Sequence, residues 1–348
     1  MKSELIILIG SGRAGKTTYA KKVAEEMGHE WISIDDIYHY KGKKQYMEAL
    51  DYVAKRLNGE PDKSFILDGY IHFDSHFRYL KPMLEHHRIK PVAVFADPDT
   101  ILARKSTTTR QNIENLYKKG IPECWNIREF GFVDANDGFK KTSYQKIYGS
   151  LVTKDDVEDF LKRFAERSNQ GWDKYYQTIN LPFGLKIQGY NNNHEHASWD
   201  TISKMFDFMG KTVADVGCFN GYFCFEAKKS GASIVHGLDR CVPAIETARE
   251  ISNIMGLEAE FNVFDVEKDA LKRKYDVIML LNVSQHLKNP IVALNKIFKS
   301  AKHVILEIQF TNIAKTELMG IAKEHGHAIK REVGSTRPNR TIMLFGRE

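Results

Sequence analysis

The chain has 348 residues, enough for two cores, since domains cluster at about 100 to 200 residues. Its 42% hydrophobic and 28% charged residues exclude a disordered or fibrous chain, and the lack of an apolar run of about 18 residues or of a charged-then-apolar leader predicts a cytoplasmic protein that enters no membrane. The formal net charge of +6 is modest and fits a small anionic substrate as well as RNA or DNA. Four cysteines, Cys124, Cys218, Cys224 and Cys241, show neither paired metal spacing nor a disulfide framework, so reduced, buried thiols are expected.

The apolar run Leu5-Ile6-Ile7-Leu8-Ile9 reads as a strand, and a helical pattern covers residues 17–27. Between them stands Gly10-Ser11-Gly12-Arg13-Ala14-Gly15-Lys16-Thr17-Thr18, which fits G-x-x-x-x-G-K-[ST]. A strand that ends in a glycine turn and opens a helix aims backbone N–H groups and the positive helix end at one place, which suits a polyphosphate. Gly10, Gly12, Gly15, Lys16, Thr17 and Thr18 are therefore expected to bind ATP, with Lys16 on the β and γ phosphates and Thr17 on Mg²⁺.

Residues 30–34 form a second expected strand, ending in Asp35 and Asp36. In a parallel α/β sheet these acids would lie near the glycine loop, to accept a proton from an attacking hydroxyl or to help hold Mg²⁺; a helix cap is the other reading. A third strand, 64–67, ends at Asp68, either a carboxylate near the metal or a turn residue. A fourth, 90–97, leads into a helical segment over 99–110 that carries Arg104, Lys105 and Arg110. Such a segment can close over a nucleotide and bring guanidinium groups to the transferring phosphate, while Lys105 fits a solvated face. Residues 120–152 lack a clear period and read as the last piece of this domain and a connector.

In order and spacing, the glycine loop, Ser33-Ile34-Asp35-Asp36, Leu67-Asp68 and the 99–110 segment resemble the small P-loop kinases that phosphorylate hydroxyl groups, nearest the phage-type polynucleotide kinases and then uridine-kinase-like enzymes. The resemblance implies Asp35 as general base and Arg104 and Arg110 as lid arginines, beside Thr17, Asp36 and Asp68 as the residues expected around the metal from their positions. Tyr38-His39-Tyr40 stands where the polynucleotide kinases place an arginine. The acceptor is left open between a nucleic-acid end, a nucleoside or nucleotide, and a small alcohol.

Thr153-Lys154-Asp155-Asp156 signals a helix start, with Val157, Phe160, Leu161 and Phe164 at helical spacing. The expected domains are thus 1–150 and 151–348. Residues 172–199 are rich in aromatic, Asn and His residues and read as a polar cap over a cleft; His194 and His196 lack a third metal ligand at a fitting offset, and Tyr176 is a further pocket candidate. Then follow a strand at 212–216, the turn Gly217-Cys218-Phe219-Asn220-Gly221, a helix over 222–230, and a strand ending at Asp239. Glycines let a ligand approach the turn, and a carboxylate ending the next strand can take both ribose hydroxyls.

With Asp265 ending a third strand and Tyr275-Asp276 opening a fourth, the set Asp215-x-Gly217-x-x-x-Gly221, Asp239, Asp265 resembles the class I S-adenosyl-L-methionine-dependent methyltransferases. The resemblance implies Asp215, Gly217, Gly221, Asp239, Asp265 and Asn282 around the cofactor, with Asp239 on the ribose and Asp265 on the adenine, and closing strands at 304–310 and 341–345. Within the class, residues 184–189, Trp199-Asp200, Gly210-Lys211, Asp215-Val216-Gly217-Cys218 and the stretch Ser284-Gln285-His286-Leu287-Lys288-Asn289-Pro290 resemble the transferases that modify the wobble uridine of tRNA through a carboxymethylated cofactor. Phe219 stands where many class members carry glycine, ordinary S-adenosyl-L-methionine is the expected cofactor, and His286 is a candidate acid or base.

The whole reads as a two-domain α/β protein, a P-loop NTPase-type parallel sheet followed by a Rossmann-like methyltransferase sheet. The expected function is bifunctional: an ATP-dependent kinase and a methyltransferase acting on one pathway intermediate. The alternative is a tRNA-type methyltransferase whose first half is a nucleotide-dependent clamp.

Overall fold

Strand β1 (Glu4–Ile9) can be apolar throughout because it lies inside a sheet covered on both faces: Leu5, Ile7 and Ile9 enter one core cluster and Ile6 and Leu8 the other. The computed structural model describes residues 3–40, 46–69, 80, 82, 84, 87–104, 108–121, 131–167, 177–189, 197–335 and 339–348. The chain divides into two units, Met1–Leu151 and Val152–Glu348.

In the first unit β1 is joined by β2 (Glu30–Ser33), β3 (Phe65–Asp68), β4 (Arg88–Phe95), β5 (Gly131–Asp134) and β6 (Lys140–Lys141). Among the described residues the sheet order is β2-β3-β1-β4-β5-β6, parallel except for β6 against β5. Parallel strands bring the loop after β1, the acids after β2 and Asp68 at the end of β3 to one sheet edge.

Three sequence expectations in this unit need correction. The second strand stops at Ser33, and Asp35 and Asp36 lie in the first turn of the helix Ile34–Tyr40, where negative charge suits the helix dipole. The fourth strand ends at Phe95, and Asp97 instead caps the next helix, accepting the Thr100 N–H at 2.9 Å. The single helix expected over 99–110 is two, Pro98–Ala103 and Arg110–Asn115, the second capped by the Thr109 hydroxyl on the Asn112 N–H at 3.2 Å. Lys105 lies outside the described residues. The aperiodic 120–152 stretch also contains the helix Tyr144–Leu151, which buries Tyr144, Ile147 and Leu151.

The second unit opens on the helix Lys154–Arg167. The Thr153 N–H donates to Asp156 Oδ2 at 2.8 Å and the Asp156 N–H to the Thr153 hydroxyl at 3.3 Å, a reciprocal cap worth about 1 kcal/mol. A short antiparallel pair, β7 (Ile179–Asn180) and β8 (Lys186–Ile187), follows. The main sheet is built from β9 (Thr212–Val216), β10 (Ile234–Asp239), β11 (Glu260–Val263), β12 (Tyr275–Leu281), β13 (Ala301–Ile308), β14 (His327–Gly334) and β15 (Thr341–Arg347).

Its order is β11-β10-β9-β12-β13-β15-β14. The pairs from β11 to β13 are parallel, and β15 runs antiparallel to both β13 and β14. The order reverses between β9 and β12, and in open α/β sheets ligands bind outside the carboxyl ends of the strands at such a switch point. No helix among the described residues is long and apolar enough to cross a membrane.

Candidate functional site

In the first unit the loop after β1 curls around its own lysine. The Lys16 ammonium donates to the carbonyls of Gly10 and Ser11, each at 3.0 Å. Burial of the ammonium lowers its pKa, opposed by the negative charges of Asp68 and Asp35. Gly10 is required by close approach: a Cβ there would lie 2.4 Å from the Val94 carbonyl oxygen. Gly15 precedes the helix Lys16–Met27 in a left-handed conformation, while Gly12, Thr17 and Thr18 are exposed.

Asp68 is 2% exposed, and burial raises its pKa against the lowering effect of the Thr17 hydroxyl and of Lys16. Its Oδ2 has no hydrogen-bond partner among the described residues. Lys16, Thr17, Asp35 and Asp68 therefore share one site. Asp36 is exposed, with its backbone N–H on the Ser33 hydroxyl at 3.2 Å. Arg104 reaches the loop, donating to the Arg13 carbonyl at 2.8 Å. Arg110 is paired instead with Asp99 and, at 3.6 Å, with Glu114.

In the second unit a cleft of about 450 Å³ opens at the switch point. Gly217 after β9, Asp239 ending β10, Asp265, and Asn282 after β12 all line it. Gly217 has φ +78°, and a Cβ would lie 2.3 Å from Val283 Cγ2, so the turn needs glycine twice over. Asp239 Oδ2 accepts the Phe219 N–H at 2.9 Å and Oδ1 the Cys241 N–H at 2.8 Å. Asp265 is bonded to Lys268 at 3.0 Å, which holds its pKa low. Asn282 adopts φ +60°, and its side-chain oxygen accepts from Gln285 Nε2 at 2.7 Å. His286 stands exposed in the cleft wall.

Asp215 and Gly221, assigned to the cofactor from the sequence, are not among the residues lining the cleft. Asp215 lies beneath the turn, 1% exposed, where burial pushes its carboxyl up to about 7 and the Cys224 thiol approaches Oδ2 at 3.7 Å. Gly221 precedes the helix Tyr222–Lys229 and makes room for Phe261, whose ring carbon would lie 2.7 Å from a Cβ. Cys218 and Cys224 are free and buried, and Cys241 is only half-buried. Tyr176, His194, His196 and Cys124 lie outside the described residues.

Residues 153–333 match the family model described as a methyltransferase domain. The chain belongs to the methyltransferase-domain family. Among curated proteins, this methyltransferase is similar to the tRNA U34 carboxymethyltransferase of Desulfotalea psychrophila, 30% identical over 153 residues that cover 42% of this chain and 46% of that protein. It is also similar to the tRNA U34 carboxymethyltransferase of Sulfurovum sp., 26% identical over 170 residues, 45% of this chain and 56% of that protein. The methyltransferase chain spans about half the length of the curated relatives it matches. Among solved structures, the magnesium protoporphyrin IX methyltransferase of Synechocystis PCC 6803 aligns at 18% identity with a TM-score of 0.38, over 44% of this chain and 80% of that one.

Two polar residues of the methyltransferase cleft escape sequence reasoning. Asn220 is buried in the wall, and its Nδ2 has no partner among the described residues. Glu307 is a carboxylate 2% exposed in the same wall. The signal for Glu307 was available, since a lone acid inside Val304-Ile305-Leu306-Glu307-Ile308 breaks an otherwise buried strand.

Proposed function

We propose that the second unit uses S-adenosyl-L-methionine and modifies transfer RNA. The observation that carries the reading is the cleft at the β9/β12 reversal, walled by Gly217, Asp239, Asp265 and Asn282. The orphaned Asn220 amide beside them fits a polar ligand, and both oxygens of Asp239 keep lone pairs after accepting one N–H each. Asp239 would take the ribose hydroxyls, Asp265 the adenine, and Gly217 and Asn282 the methionine end. When bound, the cofactor supplies an electrophilic methyl group on a sulfonium. The chain's own part is to align an acceptor with that carbon and to exclude water.

Transfer RNA as acceptor is supported by the names of the curated relatives. The test is incubation of the full chain with labelled S-adenosyl-L-methionine and bulk tRNA, followed by mass analysis of the nucleosides. A gain of one methyl in a tRNA nucleoside is expected; an added carboxymethyl group would instead call for a carboxylated donor. Unlabelled tRNA beside a labelled small molecule would remove the tRNA reading.

A second reading concerns the first unit, and the convergence of Lys16, Thr17, Asp35 and Asp68 favours it. There the chain would bind ATP and transfer its γ-phosphoryl group to a hydroxyl of a nucleoside, nucleotide, nucleic-acid end or small alcohol. Asp35 would receive the acceptor proton, Lys16 and Arg104 would offset charge on the phosphates, and Thr17 and Asp68 would hold Mg²⁺. Labelled ATP offered with each acceptor class tests it. Transfer that vanishes in Asp35→Ala supports a kinase, whereas ATP consumption that survives supports a nucleotide-dependent clamp.

A further inference from the structure

Glu307 lies in the buried part of β13, where its strand neighbours Leu306 and Ile308 enter the hydrophobic core while Glu307 lines the cleft. Removing an ionised carboxylate from water is costly unless partners compensate. Among the described residues both hydrogen-bond partners of the carboxylate are neutral. The Ser198 hydroxyl lies 3.2 Å from Oε1 and 3.1 Å from Oε2, and the Ser335 hydroxyl donates to Oε1 at 2.7 Å. Each hydroxyl has one proton to give, so two hydrogen bonds serve a group that can accept about four. Among the described residues, acceptor capacity is thus left over on a residue of the cleft wall.

The position of this spare capacity is fixed by the sheet. Leu281 pairs with Glu307 across β12 and β13, and the Asn282 N–H donates to the Glu307 carbonyl at 2.8 Å. Glu307 thus stands beside the residue that ends β12, and three strands away from Asp239 on β10. Three strand spacings amount to about 14 Å. If Asp239 marks the ribose end, Glu307 marks the far end, beyond the transferred carbon, where the acceptor must enter. His286 is a further titratable group of the cleft wall, but it is exposed to competing water.

We infer that Glu307 is the catalytic residue that takes the proton of the methyl acceptor, and hence that the acceptor is a protic group, a hydroxyl above all. In the step, the acceptor oxygen forms its bond to the methyl carbon as the carbon–sulfur bond breaks, and that bonding pair stays on sulfur. The acceptor's O–H bond breaks and its proton passes to Glu307, which ends as a carboxylic acid. Ser198 and Ser335 hold the carboxylate in place. The inference rests on methyl transfer by the second unit and does not depend on tRNA being the acceptor.

The test compares the full-length wild type, Glu307→Gln and His286→Gln. Each receives labelled S-adenosyl-L-methionine with bulk tRNA and, separately, with a deproteinised small-molecule extract, across a pH series; S-adenosylhomocysteine binding is measured by calorimetry. The expected result is a loss of about a hundredfold or more in rate for Glu307→Gln in whichever pool is labelled. The fall in wild-type rate at low pH should be absent from Glu307→Gln and kept in His286→Gln, with S-adenosylhomocysteine affinity in Glu307→Gln within about twofold of wild type. Labelling of the extract alone would remove the tRNA reading and leave this one standing. A tenfold loss of S-adenosylhomocysteine affinity in Glu307→Gln would assign the residue to the cofactor, and a retained rate or acid limb would deny it the proton; either overturns the inference. If neither pool is labelled, the infrared difference between wild type and Glu307→Gln at neutral pH decides: a carboxylate band supports the role, and a protonated carboxyl band overturns it.

Discussion

The Asp239 carboxylate accepts the backbone N–H of Phe219 at 2.9 Å, so the acid that ends β10 holds the turn that follows β9. Phe219 has φ +49°, a left-handed conformation that costs an L-residue about 1–2 kcal/mol. A hydrogen bond to a charged group is worth about 1.5–3 kcal/mol, enough to offset that strain. This gives a physical account of a phenylalanine at a position where many class I methyltransferases carry glycine: the backbone keeps the glycine conformation, and Asp239 stabilises it.

Asp239→Ala would remove this bond, the one to Cys241, and the proposed ribose partner together. The expected outcome is a loss of S-adenosylhomocysteine affinity of about tenfold or more by calorimetry. Affinity equal to wild type would remove Asp239 from the cofactor site.

Gly217→Ala should destabilise the second unit by about 2–5 kcal/mol, the sum of left-handed strain and overlap with Val283. Adding Val283→Ala should recover the overlap part and leave the strain. Denaturant titrations of the two single variants and the double variant separate the parts, and strictly additive losses would show that the two side chains do not meet.

The central strands were readable because they are buried on both faces and therefore apolar without interruption, as in β1 and β12. Strand β14 was missed for the opposite reason. It is an edge strand, His-Ala-Ile-Lys-Arg-Glu-Val-Gly, with most of its residues exposed, and its charges blunt the edge rather than mark a pattern. The helix expected over 99–110 is two: Asp97 caps the start of the first, and the Thr109 cap starts a second where one period was read. At the sites, residues within motifs could be found by position, but Glu307 comes from a strand remote in sequence, and the pairing of Arg110 with Asp99 and Glu114 carries no motif. Asp215 reads like a ligand in sequence, yet the turn folds over it.

Lys16→Ala tests the first unit independently of any acceptor. Among the described residues the ammonium donates to the loop carbonyls of Gly10 and Ser11, and a polyphosphate would give it a stronger partner. The variant should lose at least about tenfold in affinity for ATP with Mg²⁺ by calorimetry. Wild-type affinity in the variant, or no ATP binding by the wild type, would remove the nucleotide reading of this loop.

Asp215 makes stability depend on pH in an unusual direction for a carboxylate. Burial raises its pKa in the folded chain to about 7, the negative Asp239 adds to the rise, and the Cys224 thiol opposes it. The folded state therefore holds a proton that the unfolded chain releases near pH 3.9, the ordinary value of about 3.9 for an aspartate. The stabilisation by that proton is complete below the unfolded value and is lost as pH rises through about 7, where the folded carboxyl itself ionises. Asp215→Asn keeps the shape and cannot ionise. Its stability relative to wild type should rise by about 3 kcal/mol between pH 5 and 8. Paired denaturant titrations at the two pH values measure the change. Parallel wild-type and variant profiles would mean that Asp215 reaches a cation or water in the folded chain, and that the carboxylate does not lie sealed beneath the Gly217 turn.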